Sequence, residues 1–162
     1  DNDRFLLKPS LIAKIISTAE FEPSDTVLII GSSTGYSSAI LSSIAETVIS
    51  IEEDDLLVNF SESAVLNKKI DNVVFLKKDL NEGCPEHGPF NKILIEGAVE
   101  KIPKYLFDQL DENGKMIAII SKGDLSEVRE YNKVEQNIGS KFLFNCEAPK
   151  LKAFNKTDSF NF

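Results

Sequence analysis

Three residues in this chain have the types and spacing to hold a nucleotide: Gly31, Gly35 and Glu52. Gly31 ends the apolar run Val27-Leu28-Ile29-Ile30 and opens a turn of small residues, Ser32-Ser33-Thr34, that closes at Gly35. A glycine at the end of a first strand lets the backbone turn sharply and lets a ligand approach without meeting a side chain. Glu52 follows a second apolar run, Val48-Ile49-Ser50-Ile51, and lies 21 positions after Gly31, counting from 31 to 52. An acid about 20 residues beyond such a loop is where a ribose hydroxyl is received in open α/β sheets. The pairing of loop and acid is more specific than the loop alone. A blander alternative stands beside it, in which both glycines serve tight packing and Glu52 is one more solvated acid next to Glu53, Asp54 and Asp55. The spacing Gly31-x-x-x-Gly35, with Ser33 in the middle, departs from the G-x-G-x-x-G of dinucleotide loops and argues against a nicotinamide cofactor.

Strands and helices in alternation must position these residues. Pro9 followed by Leu11, Ile12, Ile15, Ile16 and Ala19 has apolar residues at helical spacing, with proline tolerated in a first turn. Strands are expected over residues 26–30, 47–51, 73–76, 92–95 and 115–120, the last entered through Asn113-Gly114. Between them, Tyr36, Ala39, Ile40, Leu41 and Ile44 form the expected buried side of one helix. Leu56, Leu57, Phe60, Ala64 and Leu66 do so for a second over residues 54–68, and Pro103 opens a third over 102–110. Residues 128–136 and 141–146 read as two strands with no long helix between them, hence an antiparallel pair. The expected fold is α/β and Rossmann-like: a doubly wound, mostly parallel seven-stranded sheet with an antiparallel C-terminal edge. Residues 1–154 form one expected domain and 155–162 a poorly ordered tail.

Composition narrows the classes of function. The 162 residues suffice for one domain with a real core, and 42% apolar with 27% charged residues is ordinary for a soluble globular chain. A formal net charge of -8 leaves no basic stripe for phosphates to follow, so no nucleic-acid partner is expected. Cys84 and Cys146 lack metal-ligand spacing, and the single His87 offers no partner for a Cys/His cluster, so no metal is expected and two free thiols are. No apolar run approaches the roughly 20 residues that cross a bilayer. The expectation is a cytoplasmic protein without a membrane partner. The sequence opens at Asp1 without a methionine, which leaves room for a removed upstream segment.

The loop and its surroundings resemble the protein-L-isoaspartate O-methyltransferases, a branch of the S-adenosylmethionine-dependent methyltransferases. The match runs through Gly31-Ser32-Ser33-Thr34-Gly35-Tyr36-Ser37-Ser38-Ala39-Ile40-Leu41 and Val48-Ile49-Ser50-Ile51-Glu52. It continues in Asp71-Asn72-Val73, Glu82-Gly83-Cys84-Pro85-Glu86-His87-Gly88-Pro89-Phe90, Ile102-Pro103 and Leu106-Phe107-Asp108-Gln109-Leu110. It covers most of residues 9–121. The Gly-Cys-Pro-Glu-His-Gly-Pro-Phe run is similar to the family's Gly-Trp-Pro-Glu-His-Ala-Pro-Phe. The resemblance implies S-adenosylmethionine as cofactor and transfer of its methyl group to a carboxylate or another acceptor, on a protein or peptide substrate. By the same resemblance the loop, with Gly31, Ser32, Ser33, Gly35 and Tyr36, passes under the methionine part. Glu52 holds the ribose hydroxyls, and Asp79 with Leu80 flanks the adenine.

Three departures from the family pattern are visible. Ile29 stands where an acid two residues before the first loop glycine is usual, and Ser33 replaces the middle glycine; both changes weaken the expected cofactor affinity. Leu7, in Phe5-Leu6-Leu7-Lys8-Pro9, stands where repair members carry the serine of Thr-Ile-Ser-Gln-Pro, and much of the family's N-terminal substrate-binding region has no expected counterpart in these 162 residues. Losing such positioning groups can cost most of the rate of an in-line transfer. Arg4-Phe5-Leu6-Leu7-Lys8-Pro9, Glu96-Gly97-Ala98-Val99-Glu100 and Phe142 to Pro149 are similar to a divergent bacterial subgroup without that serine. Glu96, after the fourth strand, is the candidate for acceptor binding or proton removal, with the capping of the next segment as its structural alternative. The alternative to an enzyme is a catalytically silent family member that binds or scaffolds.

Overall fold

A computed structural model describes residues 4–155. The elements are α1 (Pro9–Thr18), β1 (Thr26–Ile30), α2 (Tyr36–Leu41), β2 (Thr47–Glu52), α3 (Asp55–Asn67), β3 (Val73–Lys77), β4 (Phe90–Val99), α4 (Lys104–Asp108), β5 (Leu110–Lys122), β6 (Leu125–Val134) and β7 (Asn137–Cys146). They build a seven-stranded sheet in the order β3-β2-β1-β4-β5-β6-β7. β1 to β5 pair in parallel, while β6 and β7 pair antiparallel and close one edge. The doubly wound architecture expected from the alternation of elements is the one observed. The expected tail falls almost wholly outside the described residues.

The apolar strands alternate between two cores. Leu28 and Ile30 of β1, Ile93 and Ile95 of β4, and Met116, Ala118 and Ile120 of β5 pack on one face. Val27, Ile29, Leu94, Ile117 and Ile119 pack on the other, against Ile12 and Ile15 of α1. Period-two alternation with both sides apolar is what a sheet covered on both faces requires. Ile29 is fully buried there, so the position lacking the family acid serves the core.

Four expected details are corrected. α2 buries Ser37, Ser38 and Leu41, whereas Tyr36 is 40% exposed. The Ser38 hydroxyl meets Ser50 Oγ of β2 at 2.8 Å, a close approach that an apolar residue would block. α3 buries Val58, Ser61 and Val65 and leaves Leu56, Phe60 and Leu66 exposed. Ser61 lies on the inner face packed against Gly35, where a built Cβ would be 3.0 Å from it, and its hydroxyl donates to Ser33 O at 3.2 Å. β4 continues past Ile95 to Val99, where Ala98 and Val99 pair with Ile119 and Ile120 of β5, and the C-terminal segment joins it: Ala98 N donates to Pro149 O and Leu151 N donates to Ala98 O. The third helix shortens to α4, and β5 begins at Leu110 with Asn113-Gly114 inside a register break, between the pairs Phe90–Leu110 and Lys92–Lys115.

Candidate functional site

The site grows from the C-terminal ends of β1, β2 and β4. Gly31 N and Ser32 N both donate to Ile51 O, at 3.0 and 3.2 Å, which staples the loop to the end of β2. Gly31 turns with φ +83, and Ser33 holds φ +50, an uncommon conformation for a residue with a side chain. That turn aims Ser33 N at Glu52 Oε2, 2.9 Å away. Loop and acid, separated by about 20 residues in sequence, therefore touch directly. Glu52 is fully buried, which rules out the solvated-acid alternative.

Glu52 is also richly paired. Its Oε1 accepts from Glu53 N at 2.9 Å and Asp54 N at 3.4 Å. Arg4 then closes on both oxygens, Nε to Oε1 at 2.9 Å and Nη2 to Oε2 at 2.7 Å. A Cβ built on Gly31 would lie 3.0 Å from Arg4 Nη2 and 3.5 Å from Glu96 O, so the open face of this glycine looks onto Arg4 and β4.

Glu96 does not follow β4 but lies inside it, where Leu94 pairs with Ile117 and Ala98 with Ile119, leaving extra residues on the β4 side. Such a bulge re-aims side chains and is common beside functional sites. Glu96 is 4% exposed, and burial pushes its carboxyl up to about 8. The nearby Ser37 hydroxyl and Arg4 guanidinium ease that rise, and the Glu52 charge adds to it. Ser37 Oγ is close enough to be felt yet does not reach hydrogen-bonding geometry. Among the described residues, the buried side-chain atoms left without a partner are Ser32 Oγ, Ser37 Oγ and Glu96 Oε1. Buried polar groups are normally satisfied, and these three belong to the loop, the helix after it and the bulge beside it. That orphaned set suits a polar ligand.

The other expected site residues divide. Gly35 caps α2 at φ +73, and a Cβ there would meet Phe75 Cζ at 2.8 Å, so packing demands this glycine. Asp79 is exposed and lines an open cleft of about 360 Å³ with Glu53, Lys77, Lys78 and Glu82. Leu80 is fully buried in the apolar cluster that includes Leu151 and Phe154. Cys84, Glu86 and His87 bring one ligand atom each within 4.8 Å of one another. Glu86 is ion-paired with Lys78, outside the trio, and burial pushes the Cys84 thiol up to about 11. Both cysteines are free.

Sequence reasoning missed two residues, Arg4 beside the carboxyl end of β2 and Gln109 just before the amino end of β5. Arg4 and Glu52 are 48 positions apart with no periodic pattern between them. Gln109, only 8% exposed, receives Cys84 N on Oε1 and donates from Nε2 to Glu82 O, each at 2.8 Å. It presses on Gly83 at φ +68, where a Cβ would also lie 2.7 Å from Leu106 Cδ2. The Glu82 to Phe90 run is thus clamped to the end of α4.

Comparison with known proteins identifies the family of the chain and agrees with its fold. The family model described as protein-L-isoaspartate(D-aspartate) O-methyltransferase matches residues 2–147. A protein-L-isoaspartate O-methyltransferase of Helicobacter pylori is 31% identical over 134 residues, covering 83% of this chain and 63% of the relative. Its counterpart in Caulobacter vibrioides is 32% identical over 124 residues, covering 76% and 56%. The chain thus spans about six-tenths of the length of these curated relatives. A solved protein-L-isoaspartate O-methyltransferase superposes with a TM-score of 0.83 at 24% identity, over 93% of this chain and 50% of the other. A Plasmodium falciparum structure carrying the family's name, in complex with S-adenosyl-L-homocysteine, gives 0.71 at 25%, over 91% and 76%. This chain belongs to the protein-L-isoaspartate O-methyltransferase family.

Proposed function

We propose that this chain binds S-adenosylmethionine at the corner formed by Gly31, Ser33 and Glu52 and transfers its methyl group to a carboxylate or another acceptor on a protein or peptide. The observation that carries the proposal is the orphaned trio of buried polar atoms, Ser32 Oγ, Ser37 Oγ and Glu96 Oε1, around a glycine turn held to a buried acid. Unpaired buried groups cost about 1–3 kcal/mol each, and a polar ligand would recover that. In this assignment Glu52 receives the ribose hydroxyls, and Gly31, Ser32, Ser33, Gly35 and Tyr36 form the turn beneath the methionine part. Asp79 and Leu80 border the adenine. The cofactor supplies a methyl group made electrophilic by its sulfonium.

The chain's own contribution is positioning. Leu7 is 3% exposed in the core with Ile12 and Ile29, so its place carries no hydroxyl toward an acceptor. Glu96 keeps its proton at neutral pH and offers a hydrogen-bond donor where an ionised acid would only accept. The test is transfer of radiolabelled methyl from S-adenosylmethionine by the full-length protein to isoaspartyl peptides and to cell lysate. Labelled peptide or protein is expected. Cofactor binding without any labelled acceptor would overturn the transfer assignment in favour of a binding module.

A further inference from the structure

Arg4 makes a contact that the proposed function does not use and must overcome. Its guanidinium gives two parallel hydrogen bonds to Glu52, with the side chains 7% and 1% exposed. A carboxylate offers about four lone-pair sites. Here Ser33 N and Arg4 Nη2 take Oε2, while Arg4 Nε, Glu53 N and Asp54 N take Oε1. A ribose diol presents two donors toward two oxygens, the same pattern as the guanidinium fork. Arg4 also covers the face of Gly31, as the 3.0 Å from a built Cβ to Nη2 shows. Diol and guanidinium therefore require the same atoms and the same space.

We infer that Arg4 is a competitor for the ribose site, a built-in latch that pairs with Glu52 until the nucleoside displaces it. The inference rests on the cofactor assignment above. Local construction suits the exchange. Residues 4–8 have no regular secondary structure, and the segment is anchored at Leu7, which is buried, while Leu6 beside it is 42% exposed. Arg4 can turn about that anchor without unpacking α1. Its departure alone would leave the buried Glu52 carboxylate without a counter-ion, so Arg4 leaves only when the nucleoside takes its place.

The test is calorimetric titration of S-adenosylhomocysteine into the full-length protein and its Arg4→Ala and Arg4→Lys variants. Arg4→Ala is expected to bind at least tenfold more tightly than the unsubstituted protein. Arg4→Lys, which keeps the charge but loses the fork, falls between them. Because Arg4→Ala leaves a buried acid without its counter-ion and can lower the folded fraction, a second readout uses the unsubstituted protein. In ¹⁵N NMR the Arg4 Nε–H resonance, identified by its loss in Arg4→Lys, is expected to be protected from exchange and to lose that protection at saturation. Equal or weaker binding by Arg4→Ala, with the Nε–H resonance unmoved, overturns the latch and leaves the cofactor assignment standing. Absence of binding by all three proteins overturns the cofactor assignment and the latch with it.

Discussion

Two segments carry the family's motifs, one following β1 at the carboxyl end of the sheet and one leading into the amino end of β4, and they are built on opposite principles. The Glu82 to Phe90 run is closed: Gln109 satisfies Cys84 N and Glu82 O, Phe90 N reaches Gln109 O at 2.8 Å, and Gly83 has no room for a Cβ. The Gly31 to Ser37 loop is open in hydrogen-bonding terms, with buried hydroxyls and a buried carboxyl oxygen unpaired. Evolution of a stable fold fills such valences, so those left over mark where another molecule belongs. Similar-looking glycine motifs are thus built differently, one closed on the scaffold and the other beside unpaired buried polar atoms.

That contrast can be broken by substitution, beginning with the largest effect. Glu52→Ala strands Arg4 and three backbone donors in a buried site. It should cost about 3–5 kcal/mol in urea denaturation and abolish S-adenosylhomocysteine binding. Gln109→Ala should cost about 2–3 kcal/mol by leaving Cys84 N and Glu82 O unpaired, yet shift ligand affinity little, as calorimetry would show. Glu96→Gln tests the open loop through pH. The raised Glu96 carboxyl keeps its proton in the folded state, so its stabilising contribution is full below the ordinary carboxylate range and is lost as pH rises to about 8. Stability of the unsubstituted protein relative to Glu96→Gln should fall across that window by up to about 1.4 kcal/mol per pH unit and then level off. Ser37→Ala should change stability by less than about 0.5 kcal/mol, since its hydroxyl is already unpaired, while weakening S-adenosylhomocysteine binding roughly three- to tenfold.

The parallel sheet was legible because each strand is a short apolar run bounded by turn residues, and β1 begins and ends where the pattern says. Glu52 was legible because its offset from Gly31 is fixed by the length of one βαβ turn. The inner face of α3 was not, since its apolar residues lie on two stripes and Ser61 owes its place to Gly35 on another element. Nor was the burial of Glu96, which lies in a bulge of β4 between the pairs Leu94–Ile117 and Ala98–Ile119 that no local pattern marks. Arg4 was visible only as part of a motif. Its partner is set by tertiary closure, which leaves no local periodicity to detect.

The central claim is that the Gly31–Glu52 corner is the S-adenosylmethionine site. The most direct measurement is calorimetric titration of S-adenosylhomocysteine into the full-length protein, its Glu52→Ala variant and its Gln109→Ala variant, each shown to be folded. One saturable site in the unsubstituted protein, retained by Gln109→Ala and lost by Glu52→Ala, is the predicted result. Undiminished binding by Glu52→Ala would contradict it.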